Sequence, residues 1–314
     1  MYEKVYQGDT RTASRLMRDI EEGLPQARAE MKRLYPQSGK ARIIGITGSP
    51  GAGKSTLCDC LISHYRKQGC KVGVVAIDPS SPFSGGAILG DRIRMSRHAD
   101  DEGVFIRSLA TRGQTGGLSR AACDVSAVME AWGAQIVIVE TVGAGQAEVE
   151  VRRLATSSIV VLTPGMGDEV QAIKAGIMEI ADIFVVNKAD REGVERTVND
   201  IRGVLELLPD GGPQVWRPQI VKTVAFRNEG IAELGQALDG HHAFMLESGV
   251  LAKRARERAE LQLFDLLHEH VQLKINAVLE KKLDPQWREM LASRRTDPYT
   301  LAEGVLKEIL NGDD

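Results

Sequence analysis

Gly48-Ser49-Pro50-Gly51-Ala52-Gly53-Lys54-Ser55 follows the apolar run Ile43-Ile44-Gly45-Ile46 and opens a helical pattern. In that setting a G-x-x-x-x-G-K-S segment is a phosphate cradle. The glycines let backbone N–H groups close around phosphate oxygens, and the helix that begins there aims its positive end at them. Lys54 would reach the β- and γ-phosphates and the Ser55 hydroxyl would ligate Mg²⁺. Gly48, Pro50, Gly51, Ala52, Gly53 and Thr56 complete the expected loop.

A phosphate cradle does not identify the base. Asn187-Lys188-Ala189-Asp190 does, because it ends the apolar run Ile183-Phe184-Val185-Val186, and ligands in such sheets bind beyond the carboxyl ends of the strands. The Asp190 carboxylate can accept from guanine's N1–H and exocyclic amine; adenine offers an acceptor and no amine there. A site built on a substrate donor rejects analogues lacking it by about 10⁴ to 10⁵, so the expected ligands are GTP and GDP. Asn187 would tie this loop to the phosphate loop, the Lys188 stem would cover the base, and the Ala225 N–H would meet guanine O6.

Metal and hydrolysis call for carboxylates near the phosphates. Glu140 ends the buried run Ile136-Val137-Ile138-Val139 and can hold Mg²⁺ through a water, with the Gly143 N–H close to the γ-phosphate. Asp78 ends a second such run, and Asp91 lies in a loop with Gly85, Gly86 and Gly90. Mg²⁺ keeps several waters, so one or two carboxylates beside Ser55 suffice. The group that activates water stays open: Gln146 has a spacing unlike that of small GTPases, and Arg92, Arg94, Arg97 and Arg112 are alternative charge stabilisers. His241-His242 and His268-x-His270 lack carboxylate or cysteine company and read as surface or packing residues.

The elements that must position these residues are legible in the hydrophobic periodicity. Strands are expected over 41–47, 71–77, 104–108, 136–140, 158–163, 183–187 and 219–223, alternating with helices, the pattern of a mainly parallel sheet covered on both faces. Leu16, Ile20, Leu24 and Ala27 predict a helical N-terminal extension over 1–39. Leu261, Phe264, Leu267, Val271, Ile275 and Val278 predict a long amphipathic helix within a C-terminal arm over 241–314. Between them, 40–240 is the α/β nucleotide domain.

The 314 residues suffice for a full core, and the formal net charge of −3 without a basic block argues against nucleic acid as a partner. Cys58, Cys60, Cys70 and Cys123 lack paired spacing and read as small apolar residues in a reducing compartment. No apolar run reaches membrane-spanning length, and the first residues carry no apolar signal core. The expectation is a cytoplasmic protein.

The ordered set of the phosphate loop, Asp78-Pro79-Ser80-Ser81-Pro82, Gly90-Asp91-Arg92, Thr111-Arg112-Gly113, Gly116-Gly117-Leu118, Glu140-Thr141-Val142-Gly143-Ala144-Gly145-Gln146 and Asn187-Lys188-Ala189-Asp190 strongly resembles the MeaB/ArgK family. That resemblance implies a P-loop GTPase domain of SIMIBI-like type and a homodimer joined through the C-terminal arm. It also implies a chaperone of adenosylcobalamin-dependent acyl-CoA mutases, typified by methylmalonyl-CoA mutase. GTP binding and hydrolysis would gate cofactor loading, with mobile loops mapping onto 78–95, 140–150 and 163–174 and Lys174 coupling the last of these to the nucleotide. Two other readings stand beside it: a nickel-type metallochaperone GTPase, which calls for a His-rich tract or Cys-Pro pair, and a transport-protein kinase, which the guanine-type tetrapeptide disfavours.

Overall fold

The computed structural model describes residues 2–78, 96–98, 100–110, 117–141, 147–165, 180–207, 212, 215–281 and 287–311. Seven strands form one sheet: β1 (Arg42–Gly48), β2 (Val72–Asp78), β3 (Val104–Ala110), β4 (Ile136–Thr141), β5 (Ser157–Leu162), β6 (Ile183–Asn187) and β7 (Gln219–Thr223). Each lies within two residues of a segment predicted from the sequence. Their order is β3-β2-β4-β1-β5-β6-β7, and every pairing is parallel. All seven therefore deliver their carboxyl ends to one edge, which is where both predicted nucleotide motifs fall.

Helices cover both faces, which is why the central strands are apolar along their whole length rather than alternating. On one face α4 (Lys54–Lys67) and α8 (Ile231–Glu247) bury Leu57, Leu61, Leu234 and Leu238 against Ile44, Ile46, Val74 and Ile138. The other face carries α5 (Gly117–Trp132), α6 (Ala147–Leu154) and α7 (Val194–Leu205).

The first helices, α1 (Tyr2–Tyr6), α2 (Thr10–Glu21) and α3 (Pro25–Leu34), form a third layer over α5. Val5, Leu16, Met17 and Leu34 are fully buried in the same cluster as Val125, Val128 and Met129. Trp132 fixes that layer by donating its indole N–H to Gly8 O at 3.1 Å. The apolar face predicted through Ala27 is thus real, but Gly23, at φ 68°, breaks it into two helices. An extension this well buried is part of the core.

The chain divides into two compact units, Met1–Ala255 and Arg256–Asp314. The hydrophobic periodicity places a boundary near residue 240; His241 and Met245 on α8 are buried and hold that helix to the first unit. The long helix α9 (Val250–Lys281) begins in the first unit and runs through the second, followed by α10 (Trp287–Ala292) and α11 (Pro298–Asn311). The Asp297 carboxylate caps α11 by accepting from Thr300 N at 2.9 Å. Among the described residues no helix is long and apolar enough to cross a membrane.

At the amino ends of β5 and β6 a buried ionic cluster closes the sheet. Asp182 accepts from Ser158 N at 2.8 Å and from Arg152 at 2.7 Å, with Arg254 at 3.3 Å. His241, fully buried beside it, pairs its Nδ1 with Ser157 Oγ at 2.7 Å. Burial pushes its pKa down from 6.5 to about 4; the Asp182 carboxylate opposes this, and Arg254, Arg152 and His242 reinforce it. The folded state therefore refuses a proton that the unfolded chain accepts. Stability should be complete above about pH 6.5 and fall as pH drops towards 4, by about 2 kcal/mol between pH 7.5 and 5. Urea unfolding of wild type and His241→Gln, read on Trp216, whose ring centroid lies 4.9 Å from His241, measures it. The variant should lose that slope, and parallel pH curves would refute the assignment.

Candidate functional site: a nucleotide cradle

The turn after β1 needs glycine at two points for reasons of contact. Gly48 has φ 135°, and a Cβ there would lie 2.2 Å from Val161 O. Gly53 has φ 90°, and its Cβ would meet Asn187 Nδ2 at 2.4 Å. The second clash is informative: the phosphate loop and the β6 motif approach so closely that a Cβ at position 53 would have to displace the Asn187 amide.

Lys54 opens α4 and is only 6% exposed. Its ammonium donates to Gly48 O at 2.5 Å and Ser49 O at 3.0 Å, which brings the positive charge into the mouth of the loop. Next to it, Ser55 Oγ donates to Glu140 Oε1 at 2.6 Å. Glu140 is fully buried on β4, level with Ile46 of β1 and Ala76 of β2. A hydroxyl and a buried carboxylate meeting beside the cradle are hard oxygen donors, the type Mg²⁺ prefers. The residues present fit that ion. Among the described residues no group of three or more His, Cys, Asp or Glu converges as a metal cluster.

Asn187 joins the motifs from the other side. Its amide Nδ2 donates to Ala52 O at 2.8 Å, while Oδ1 accepts from Thr223 Oγ1 and from Ala225 N, both at 3.1 Å. Lys188 adopts φ 57°, uncommon for a residue with a side chain, and donates its ammonium to Gly51 O at 2.6 Å. The tie expected of Asn187 is present and Lys188 doubles it. The Ala225 N–H, expected to face guanine O6, here donates to Asn187. Asp190 keeps its side chain 30% exposed at the rim, with an Arg227 nitrogen 3.9 Å from Oδ2.

Several contacts were not foreseen. Thr223 stands level with Asn187 across the β6–β7 pair, a register the sequence would yield only once those strands are aligned. Cys60 donates its thiol to Ala225 O at 3.1 Å; burial raises its pKa, so the proton stays in place. Arg97, considered as a charge stabiliser, donates instead to Asp59 on α4 at 2.6 Å. The Asp78 side chain, Asp91, Gly143, Gln146 and Lys174 lie outside the described residues, although β2 does end at Asp78.

The family described as methylmalonyl-CoA mutase-associated GTPase MeaB matches this sequence over residues 13–280. The chain belongs to the MeaB family. A Pyrococcus abyssi protein with a provisional GTPase name is 46% identical to this MeaB-family chain over 313 residues, covering 99% of this chain and 97% of its own. GTPase ArgK of Escherichia coli is 35% identical over 263 residues, covering 82% and 79%. A crystal structure described as LAO/AO transport system kinase superposes with a TM-score of 0.72 at 26% identity, over 99% of this chain and 96% of that one. The MeaB-family chain thus has a P-loop GTPase fold, and these curated relatives are named GTPases.

Proposed function

We propose that this MeaB-family chain binds GTP with Mg²⁺, hydrolyses it to GDP and phosphate, and uses the two nucleotide states to gate adenosylcobalamin loading and repair in a partner acyl-CoA mutase. The observation that carries the nucleotide half is the Asn187 amide on Ala52 O at 2.8 Å, joined by Lys188 on Gly51 O at 2.6 Å. A base-reading segment bonded to the phosphate-reading segment makes one ligand answer to both. Ser55 and Glu140 would hold the metal, which supplies charge neutralisation on the phosphates. Asp78 and Asp91 keep the metal-site roles read from their places in the sequence, and Lys174 the coupling role that the family resemblance implies.

The partner half rests on the family's description and on the switch logic it implies. A γ-phosphate can drive a partner only by binding one loop arrangement better than another. The exposed Leu261, Phe264, Leu267 and Val271 along α9 support a homodimer through the arm, since an apolar seam of this length is unusual on an isolated helix.

The test is phosphate release from GTP and from ATP, with and without purified methylmalonyl-CoA mutase and its cofactor. GTP alone should be hydrolysed, slowly, and the mutase should accelerate it at least about tenfold. Release from ATP at an equal rate would sink the nucleotide assignment. A rate indifferent to the mutase would sink the chaperone reading.

A further inference from the structure

Arg227 stands where a second donor to the base-reading carboxylate would stand. One of its guanidinium nitrogens lies 3.9 Å from Asp190 Oδ2, and the guanidinium carbon sits 4.9 Å from the centroid of the neighbouring Phe226 ring. The backbone beneath these side chains is firmly built. Arg227 N donates to Val224 O at 2.9 Å and Asn228 N to Ala225 O at 3.0 Å, while Asn228 turns the chain at φ 60°. Val224 bridges to Glu229. Ala225 is pinned by Asn187 and by Cys60. The fold therefore fixes the root of Arg227 beside Asp190, and the Phe226 face steers its guanidinium. With Arg227 53% exposed, the pair contributes little to stability. Its consequence lies in what the pocket accepts.

Resting on the guanine reading above, we propose that Arg227 is a specificity-determining residue that shares Asp190 with the bound base. Guanine brings two donors to the carboxylate, N1–H and the exocyclic amine. Hypoxanthine brings only N1–H. Beside a solitary aspartate the missing amine leaves one charged oxygen desolvated and unbonded, which is the source of steep rejection by polar sites. Here the guanidinium turns to that oxygen and lowers the penalty. The chain thereby discriminates strongly against adenine, which lacks N1–H as well, and leniently against hypoxanthine, which lacks only the amine. Because Asp190 retains 30% exposure, water shares the compensation, and the effect of Arg227 is of the order of tenfold.

Competition binding of GTP and ITP against a fluorescent guanosine diphosphate, with wild type, Arg227→Ala and Arg227→Lys, tests it. The GTP-to-ITP affinity ratio should rise about tenfold in Arg227→Ala and return to within about threefold of wild type in Arg227→Lys. Arg227→Gln, which keeps the stem over Phe226 but not the charge, should shift the ratio in the same direction as alanine. A ratio unchanged in Arg227→Ala, or equal losses for both nucleotides, overturns the role of Arg227 and leaves the guanine reading standing. Failure of wild type to bind GTP overturns both.

Discussion

Lys54→Ala should reduce GTP turnover by at least about a hundredfold, the loss expected when one preorganised positive charge is taken from a developing phosphoryl transition state. The geometry makes the lysine difficult to replace. Its stem is buried at the start of α4, and its ammonium already lies among the carbonyls of Gly48 and Ser49, so little reorganisation separates the observed position from contact with a phosphate. No other lysine or arginine among the described residues opens that helix: Ser55 and Thr56 follow it. Single-turnover phosphate release with excess enzyme isolates the chemical step, and the thermal midpoint of the same sample reports the fold. A purely structural lysine would lose turnover only in step with stability. Wild-type turnover in a well-folded Lys54→Ala sample would refute the cradle assignment.

How much of this could be read before the structure depended on the range of the interactions involved. The strands were legible because buried parallel strands are apolar on both faces, and Ile136-Val137-Ile138-Val139 or Ile183-Phe184-Val185-Val186 leave little else to read. The phosphate loop and Asn187-Lys188-Ala189-Asp190 were legible because each packs its chemistry into a few consecutive residues. Contacts that depend on strand order were not. Thr223 reaches Asn187 only because β7 pairs with β6, and a Cβ at position 53 would meet Asn187 only because that side chain reaches from β6 to the loop after β1. The burial of the N-terminal helices was hidden for the same reason, since Leu16 and Met17 face α5 from more than a hundred residues away in sequence. The sequence leaves His241 as a surface or packing residue. It is a packing residue, and its partners are Ser157, which opens β5, and Asp182, which immediately precedes β6, two strands the periodicity places but does not align.

Asp190→Asn should invert base preference, from GTP towards xanthosine triphosphate. Guanine presents two donors to the residue at this position, and a carboxylate accepts both. A carboxamide accepts one and opposes the other with its own N–H. Xanthine keeps N1–H but replaces the amine with a carbonyl, so the amide finds a partner for each end. Exchanging a matched pair for a mismatched one in a site that reads donors alters discrimination by up to about 10⁴. The exposure of Asp190 and the neighbouring Arg227 guanidinium bring the expected change nearer to about 10². The fold should be indifferent, because the backbone here is held by Ala189 N on Thr223 O at 3.0 Å and Arg191 N on Lys188 O at 3.0 Å, bonds that do not involve the Asp190 side chain. Combining Asp190→Asn with Arg227→Ala separates the two contributions: with no carboxylate left to share, Arg227 should no longer alter the GTP-to-ITP ratio, and the double variant should match Asp190→Asn. A retained preference for GTP over XTP in the single variant would mean that the purine is read by some other group, and that this motif only braces the phosphate loop.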